Sequence, residues 1–256
     1  MADTAEDVMT SIAEIADPER AVFLQRYFKT GPGEYGEGDI FAGLRVPAVR
    51  KIAKEFASLP LSEIDRLLDS EIHEHRLVAL EILVLQFRRA SSPKHRDEAL
   101  RKQICDLYLA AVRRQRVNNW DLVDGSAPYI LGEFLYDRPR DLLFELAIND
   151  RLWERRVAII ATFSFIAHGE AATTLNIAEL LLADTHDLIH KAVGWALRNV
   201  GARVDRQLLC TFLDAHASAM PSTMLSYATE HFDPPLRAHY RALRLAGKRA
   251  TGPARA

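Results

Sequence analysis

Arg155-Arg156-Val157-Ala158-Ile159-Ile160 sets two cations at the head of a small, apolar run, and the same order returns twice in the chain. His75-Arg76-Leu77-Val78-Ala79-Leu80 lies upstream, and His190-Lys191-Ala192-Val193-Gly194-Trp195 lies downstream. Arg76 and Arg156 are 80 residues apart, and Arg156 and Lys191 are 35 apart. Units of roughly 35–45 residues built from paired helices are the signature of a HEAT-like array, in which each pair buries its apolar face against its neighbours. Helical spacing dominates the rest of the chain, and no run alternates convincingly as a strand would. The predicted class is all-α, a HEAT-like antiparallel helical-repeat solenoid whose concave face aligns equivalent positions of successive repeats.

Helices are expected at 4–15, 18–29, 47–57, 61–69, 73–89, 94–112, 119–136 with a kink, 139–148, 153–167, 171–183, 187–200, 205–214, 221–231 and 235–246. Start signals stand at Asp17-Pro18, at Leu61-Ser62 with Asp65 three residues on, and at Arg138-Pro139. Short connections predict antiparallel neighbours. Residues 1–246 read as one solenoid domain, and 247–256 as a basic, disordered tail. Gly31-Pro32-Gly33-Glu34-Tyr35-Gly36-Glu37-Gly38-Asp39 is glycine-rich and acidic, and it lacks the Gly-Lys-Ser/Thr ending of a phosphate cradle. It reads as a flexible connection, not a nucleotide site.

Composition narrows the classes. A chain of 256 residues, 48% hydrophobic and 27% charged, suits one large globular body or a repeat array. No apolar run reaches the length of a membrane span. The start, MADTAEDVMTSIAEIADPER, is acidic and lacks a secretory n-region, and Cys105 and Cys210 are isolated, so a reducing cytoplasmic setting is expected. The formal charge of −2 is unevenly divided: residues 1–75 carry −7, residues 86–116 carry +6, and residues 236–256 carry +6. That division permits a basic face, suited to a phosphate backbone, on a nearly neutral protein.

The segment Asn118-Asn119-Trp120-Asp121-Leu122-Val123-Asp124-Gly125-Ser126-Ala127-Pro128 carries the candidate site. Asn119 is a natural N-cap, and Asp121 then falls in the first turn, where the helix dipole favours a carboxylate. Trp120 and Asp124 are four apart and share a face. Pro128 has no N–H for the carbonyl of Asp124, so the helix must kink or break there. An indole and a carboxylate thus meet at a helix irregularity. From the pattern alone, Trp120 serves a core as well as a site, and Asp121 reads as a first-turn charge. Asp124, among Leu122, Val123, Ala127 and Ile130, must be paired, raised in pKa, or aimed into a cleft. Lys191, Trp195 and Arg198 share another helical face beside Gly194, which fits either a groove wall or a buried Trp among surface cations. His186 and His190 are four apart, but satisfied or exposed histidines are the commoner case for such a pair, and no metal site is expected.

Taken together, four segments in order are similar to the HEAT-repeat DNA alkylation repair glycosylases, the AlkD family. They are Gly43-Leu44-Arg45-Val46-Pro47-Ala48-Val49-Arg50-Lys51 with Tyr27 upstream, Asn118 to Asp124, Trp153-Glu154-Arg155-Arg156-Val157-Ala158-Ile159, and Lys191-Ala192-Val193-Gly194-Trp195-Ala196-Leu197-Arg198. The resemblance spans roughly residues 18–232. It implies an enzyme that removes cationic N3- and N7-alkylated purines from duplex DNA, as a monomer, without metal, nucleotide or other cofactor. Asp124 would be the catalytic carboxylate, flanked by Trp120 and Trp195. Arg156 would hold backbone phosphate, with Arg155 an extra cation. Tyr27, Arg50, Lys51, Lys191 and Arg198 would line the DNA groove. Two departures stand out: the 31–39 loop is longer than the family pattern, and Met220-Pro221-Ser222-Thr223-Met224-Leu225-Ser226 carries serines where many relatives carry arginines. Two other readings remain: a non-catalytic HEAT protein that binds damaged DNA, and a protein-binding scaffold.

Overall fold

A computed structural model describes residues 3–251, with side chains through Gly247. Its regular elements are helical, and among the described residues β pairing is limited to a parallel bridge between Ile40 and Ile72. None of the described helices is long and apolar enough to cross a membrane. The chain divides into two compact units, Met1–Phe134 and Leu135–Ala256.

The first unit contains α1 (Ala5–Ala13), α2 (Pro18–Gln25), α3 (Val46–Glu55), α4 (Leu61–Leu68), α5 (His73–Ser91), α6 (Glu98–Arg113) and α7 (Trp120–Asp124), followed by a π-helical turn at Pro128–Gly132. Helix α5 is its centre: twelve of its nineteen residues are buried, so it is covered on nearly every side. It packs against α3, α4, α6 and the π turn. Its charged first turn is buried too, and buried charged groups need hydrogen-bond partners. Glu74 meets that condition by accepting from the backbone N–H groups of Ala42, Gly43 and Leu44 at 2.8, 2.8 and 3.2 Å. These bonds pin the strand of chain that enters α3. Gly43 is at φ 85°, and a Cβ there would lie 2.1 Å from the carbonyl oxygen of Asp17, so this crossing demands glycine.

Several boundaries differ from the pattern for local reasons. Helix α4 starts on Pro60, and Ser62 does not cap it. Pro93–His95 form a 3-10 turn, so α6 begins only after Asp97, whose side chain accepts from Leu100 N–H at 2.9 Å. The expected flexible connection at 31–39 is a set of turns held by its own acids. Glu34 accepts from Gly31 N–H at 2.9 Å, and Glu37 from Gly33 N–H at 2.7 Å.

The short α8 (Glu133–Leu135) leads into the second unit: α9 (Asp141–Ala147), α10 (Leu152–Ala161), α11 (Phe163–Ala167), α12 (Ala172–Leu180), α13 (Asp187–Arg203), α14 (Arg206–His216), α15 (Ser222–Ala228) and α16 (Pro234–Thr251). Helix α9 starts two residues after Pro139, with Arg140 as its N-cap. The expected helix 153–167 is interrupted at Thr162, whose hydroxyl donates to the Ile159 carbonyl at 2.7 Å. Helix α16 continues through Gly247 to Thr251, so the first half of the segment read as a tail is helical; residues 252–256 lie outside the described residues.

Helix α13 is the second centre, packed closely on α15 and also on α10 and α14. Gly194 makes this possible. A Cβ at that position would lie 2.5 Å from both the Met224 carbonyl oxygen and Tyr227 Cβ. Backbone cannot yield as a flexible side chain can, so Gly194→Ala is expected to destabilise the protein by about 1–3 kcal/mol through overpacking. Urea denaturation checks this, and an unchanged midpoint would show that α13 and α15 can part at no cost.

Candidate functional site

The sequence around Trp120 folds as its capping pattern predicts, and then departs from it. Asn119 is extended and caps α7 by accepting from Trp120 N–H at 2.9 Å. The helix ends at Asp124 after only five residues. Pro128 cannot donate to the Asp124 carbonyl, and the chain turns through 125–127 into the π-helical stretch, where Gly132 N–H reaches back five residues to the Ala127 carbonyl at 2.9 Å. The expected single kinked helix is therefore three pieces. Ser126 stabilises the break by donating to the Leu122 carbonyl at 2.5 Å, with the Tyr108 phenol 3.2 Å away.

A helix this short has too few internal hydrogen bonds to hold itself in place. Its anchor is a buried polar network. Asp39, 7% exposed, receives Arg76 Nη2 at 2.6 Å, Asn118 Nδ2 and Asn119 Nδ2 at 3.2 Å each, and His73 Nδ1 at 3.3 Å. The other imidazole nitrogen, His73 Nε2, meets Asp121 Oδ2 at 2.8 Å. Burial would raise the Asp39 pKa, but His73, Arg76 and Asn119 hold it below the usual carboxylate value. Burial would likewise lower His73, yet Asp121 and the bonds to Asp121 and Asp39 raise it from 6.5 to about 9. Asp121 is thus no isolated first-turn charge. It is half of a part-buried ion pair that fastens α7 to α5.

Two adjoining cavities run along α3, α5 and α7. The first, about 500 Å³, is walled by apolar and aromatic groups including Tyr27, Phe28, Phe41, Leu77 and Trp120. Trp120 is half-buried and stacks on Phe28, with ring centroids 5.4 Å apart and planes 16° apart. The second, about 420 Å³, is lined by Arg50, Lys54, Glu81, Arg88, Asp124 and Tyr129, among others. One helical turn along each of the three helices leads from the first cavity to the second, so Trp120 and Asp124 face successive stretches of one groove. Asp124 lines the second cavity. Three cations line that cavity with it: Arg50, Lys54 and Arg88 are exposed, Arg50 pairs with Glu81 at 3.2 Å, and Arg88 lies over the Tyr129 ring at 4.5 Å.

The remaining sequence candidates divide by accessibility. Tyr27 is 61% exposed and sits edge-on to Phe23 at 5.7 Å. Lys51 is exposed, 3.9 Å from Glu55, and does not line the Asp124 cavity. In the second unit, Trp195 is half-buried beside Phe163, at 4.5 Å between centroids. Lys191 pairs with Asp187 at 2.8 Å on the same helix, and Arg198 pairs with Glu230. Arg155 and Arg156 are committed to the protein itself. Arg155 Nε donates to Asp184 at 2.6 Å and its Nη1 to the Asn149 and Asp150 carbonyls, while Arg156, 5% exposed, donates to the Leu188 carbonyl at 2.7 Å. Arg76, at the equivalent repeat position, is buried in the same manner and donates to the Ser70 carbonyl at 2.7 Å. In the first two of the three repeats the marking cation is an internal tie between segments, whereas Lys191 stays on the surface of its own helix.

His186 and His190 also have local partners: His186 Nδ1 accepts from Leu188 N–H at 3.1 Å as the N-cap of α13, and His190 Nε2 lies 2.5 Å from the Asp184 carbonyl. Sequence reasoning missed Asp39, His73, Arg76, Lys54 and Arg88 at the site. The available signal was His73 at the first turn of a helix that is apolar behind it, a position where burial demands partners.

Comparison with known proteins adds to this geometry. The family model described as DNA alkylation repair enzyme matches residues 8–232. Among solved structures, one described as a predicted DNA alkylation repair enzyme from Enterococcus faecalis is similar, at 18% sequence identity with a TM-score of 0.65. That match covers 86% of this chain and 97% of the other. At that identity the likeness establishes a shared helical-repeat fold. No curated protein gives a significant match.

Proposed function

This chain belongs to the family of DNA alkylation repair enzymes, and on that premise we propose that it is a DNA glycosylase that excises cationic N3- and N7-alkylated purines from duplex DNA. The observation that carries this reading is Asp124, a carboxylate at a helix break, lining a cleft rimmed by Arg50, Lys54 and Arg88, one turn from the Trp120 indole.

Alkylation at N3 or N7 makes the purine a cation, so it leaves without prior protonation. The C1′–N9 bond breaks, its electron pair departs with the base, and positive charge develops on the sugar as an oxocarbenium ion. A fixed carboxylate about 4 Å from that charge, at an effective dielectric near 20, is worth roughly 4 kcal/mol. Realised mainly in the transition state, that corresponds to roughly a thousandfold in rate. Water then adds to C1′, and Asp124 is suited to align it and accept its proton. Since the leaving group already carries its charge, the chemistry calls for no metal or nucleotide cofactor.

The exposed cations Arg50, Lys54 and Arg88 suit phosphate on either side of such a nucleotide, and Tyr27 and Trp120 offer ring faces for sugar and base. On the second unit, Trp195 with Lys191 and Arg198 forms the face we assign to the duplex. Arg155 and Arg156 support that face from within, by fixing the start of α13 and the loop before it. The partner is double-stranded DNA, met by a monomer in the cytoplasm.

Incubation with methylated duplex DNA, followed by chromatography of the released bases, tests the proposal. Free 7-methylguanine and 3-methyladenine are expected. Tight, salt-sensitive binding with no base released would instead identify a lesion-binding protein, and absence of DNA binding would identify a scaffold.

A further inference from the structure

The buried histidine of α5 has an arrangement that capping or core filling does not require. Each ring nitrogen faces a carboxylate, Asp39 at 3.3 Å and Asp121 at 2.8 Å, and an imidazole donates to both only when protonated. Asp39 belongs to the turn-rich loop before α3, and Asp121 to α7, so the ring joins the scaffold to the five-residue helix that ends in Asp124. The rings of Phe41 and Phe28 enclose it at 4.7 and 5.2 Å. We propose that His73 is a positioning residue for base excision: its imidazolium, clamped between Asp39 and Asp121, holds α7 in the register that brings the Asp124 carboxylate to the anomeric carbon. This inference rests on the glycosylase reading of Asp124.

The clamp depends on charge. Besides the two aspartates, the groups around the ring are Arg76 and Glu74 on its own helix and Arg45 at the start of α3, with Arg116 acting on Arg76. His73⁺ and Arg76⁺ balance the charges of Asp39⁻ and Asp121⁻. The carboxylate of Asp121 raises the imidazole to about 9 against the effect of burial. A basic group raised on folding gives its full contribution below its ordinary value of 6.5, and that contribution is lost as pH rises through about 9. On deprotonation one nitrogen would present a lone pair to a carboxylate, and the imidazole would lose one of its two ties.

The test is single-turnover excision from a duplex with one N7-methylguanine, at saturating enzyme, from neutral pH to above the raised imidazole value. Wild type is expected to lose rate as pH passes about 9, while His73→Gln is slow and flat across the same range. Displacement of a reacting group by about 1 Å can cost a hundredfold, so His73→Gln is expected to be about 10- to 100-fold slower at neutral pH with duplex affinity unchanged. Adding Asp121→Asn to His73→Gln should cost little more, since both remove one interaction.

Coinciding pH profiles in an active wild type and a folded His73→Gln would overturn this inference alone. A wild type that releases no base would overturn the glycosylase reading and this inference with it. If His73→Gln is too unstable to assay, Asp121→Asn decides: its alkaline limb should move to lower pH, and an unmoved limb overturns the proposal.

Discussion

Asp124→Asn is expected to slow release of N7-methylguanine by about 30- to 1000-fold while the protein stays folded and still binds duplex DNA. Asparagine keeps the size and much of the hydrogen bonding of aspartate, and it deletes the negative charge. The site around it is already rich in cations, with Arg50, Lys54 and Arg88 on the rim of the cleft. Ground-state affinity for phosphate should therefore hold or improve in the variant. Stabilisation of the oxocarbenium ion, roughly 2–4 kcal/mol by Coulomb's law at an effective dielectric near 20, is what disappears. A fall in rate without a fall in affinity marks an interaction made in the transition state. Single-turnover kinetics with a thermal melt as control read both quantities, and a folded variant with wild-type rate would remove Asp124 from the chemistry.

The largest effect on stability is expected from Asp39→Ala. Asp39 gathers four donors, Arg76, His73, Asn118 and Asn119, in a site closed to water. Removing one member of a buried ion pair leaves its partners charged and uncompensated, at a cost of about 3–5 kcal/mol. For a chain of this size that corresponds to roughly 6–20 °C in melting temperature. Arg76 makes the penalty severe, because a guanidinium cannot discharge to relieve it. The contrast with Asp124 is the useful part. One carboxylate should govern rate with little change in melting, and the other should govern melting before it affects rate. Equal melting temperatures for Asp39→Ala and wild type would mean that α7 is held by packing alone.

The all-helical class was legible because apolar spacing reports which face a helix buries, and burial is what folding selects. The break after Asp124 was legible for a covalent reason, the missing N–H of Pro128. The lengths of α7 and of the π turn were not, since they depend on how Ser126 and Gly132 find carbonyls once the ladder is broken. The repeat pattern located Arg76 and Arg156 correctly at helix starts but did not say which way they point. A cation ahead of an apolar helix suits a phosphate as well as a neighbouring carbonyl, and here the carbonyls of Ser70 and Leu188 hold them.

Asp39 was hidden by its surroundings. It ends a glycine-rich acidic loop, and nothing local distinguishes a carboxylate that will meet His73, 34 residues away, from one that stays in water. Lys54 and Arg88 were passed over because they are ordinary surface cations in sequence, and only the pairing of α3 with α5 sets them around Asp124.

Charge complementarity between Asp124 and the developing sugar cation is the central claim, and an unreactive analogue tests it apart from catalysis. A duplex carrying a protonated pyrrolidine in place of one deoxyribose imitates the oxocarbenium ion, and a tetrahydrofuran duplex supplies the neutral control. Wild type should bind the cationic duplex about 30-fold more tightly than the neutral one, or better, as roughly 2 kcal/mol or more of carboxylate attraction requires. Asp124→Asn should lose most of that preference while binding the neutral duplex as wild type does. An equal preference for the cation in both proteins would contradict the account, because the charge that recognises the sugar would then lie elsewhere.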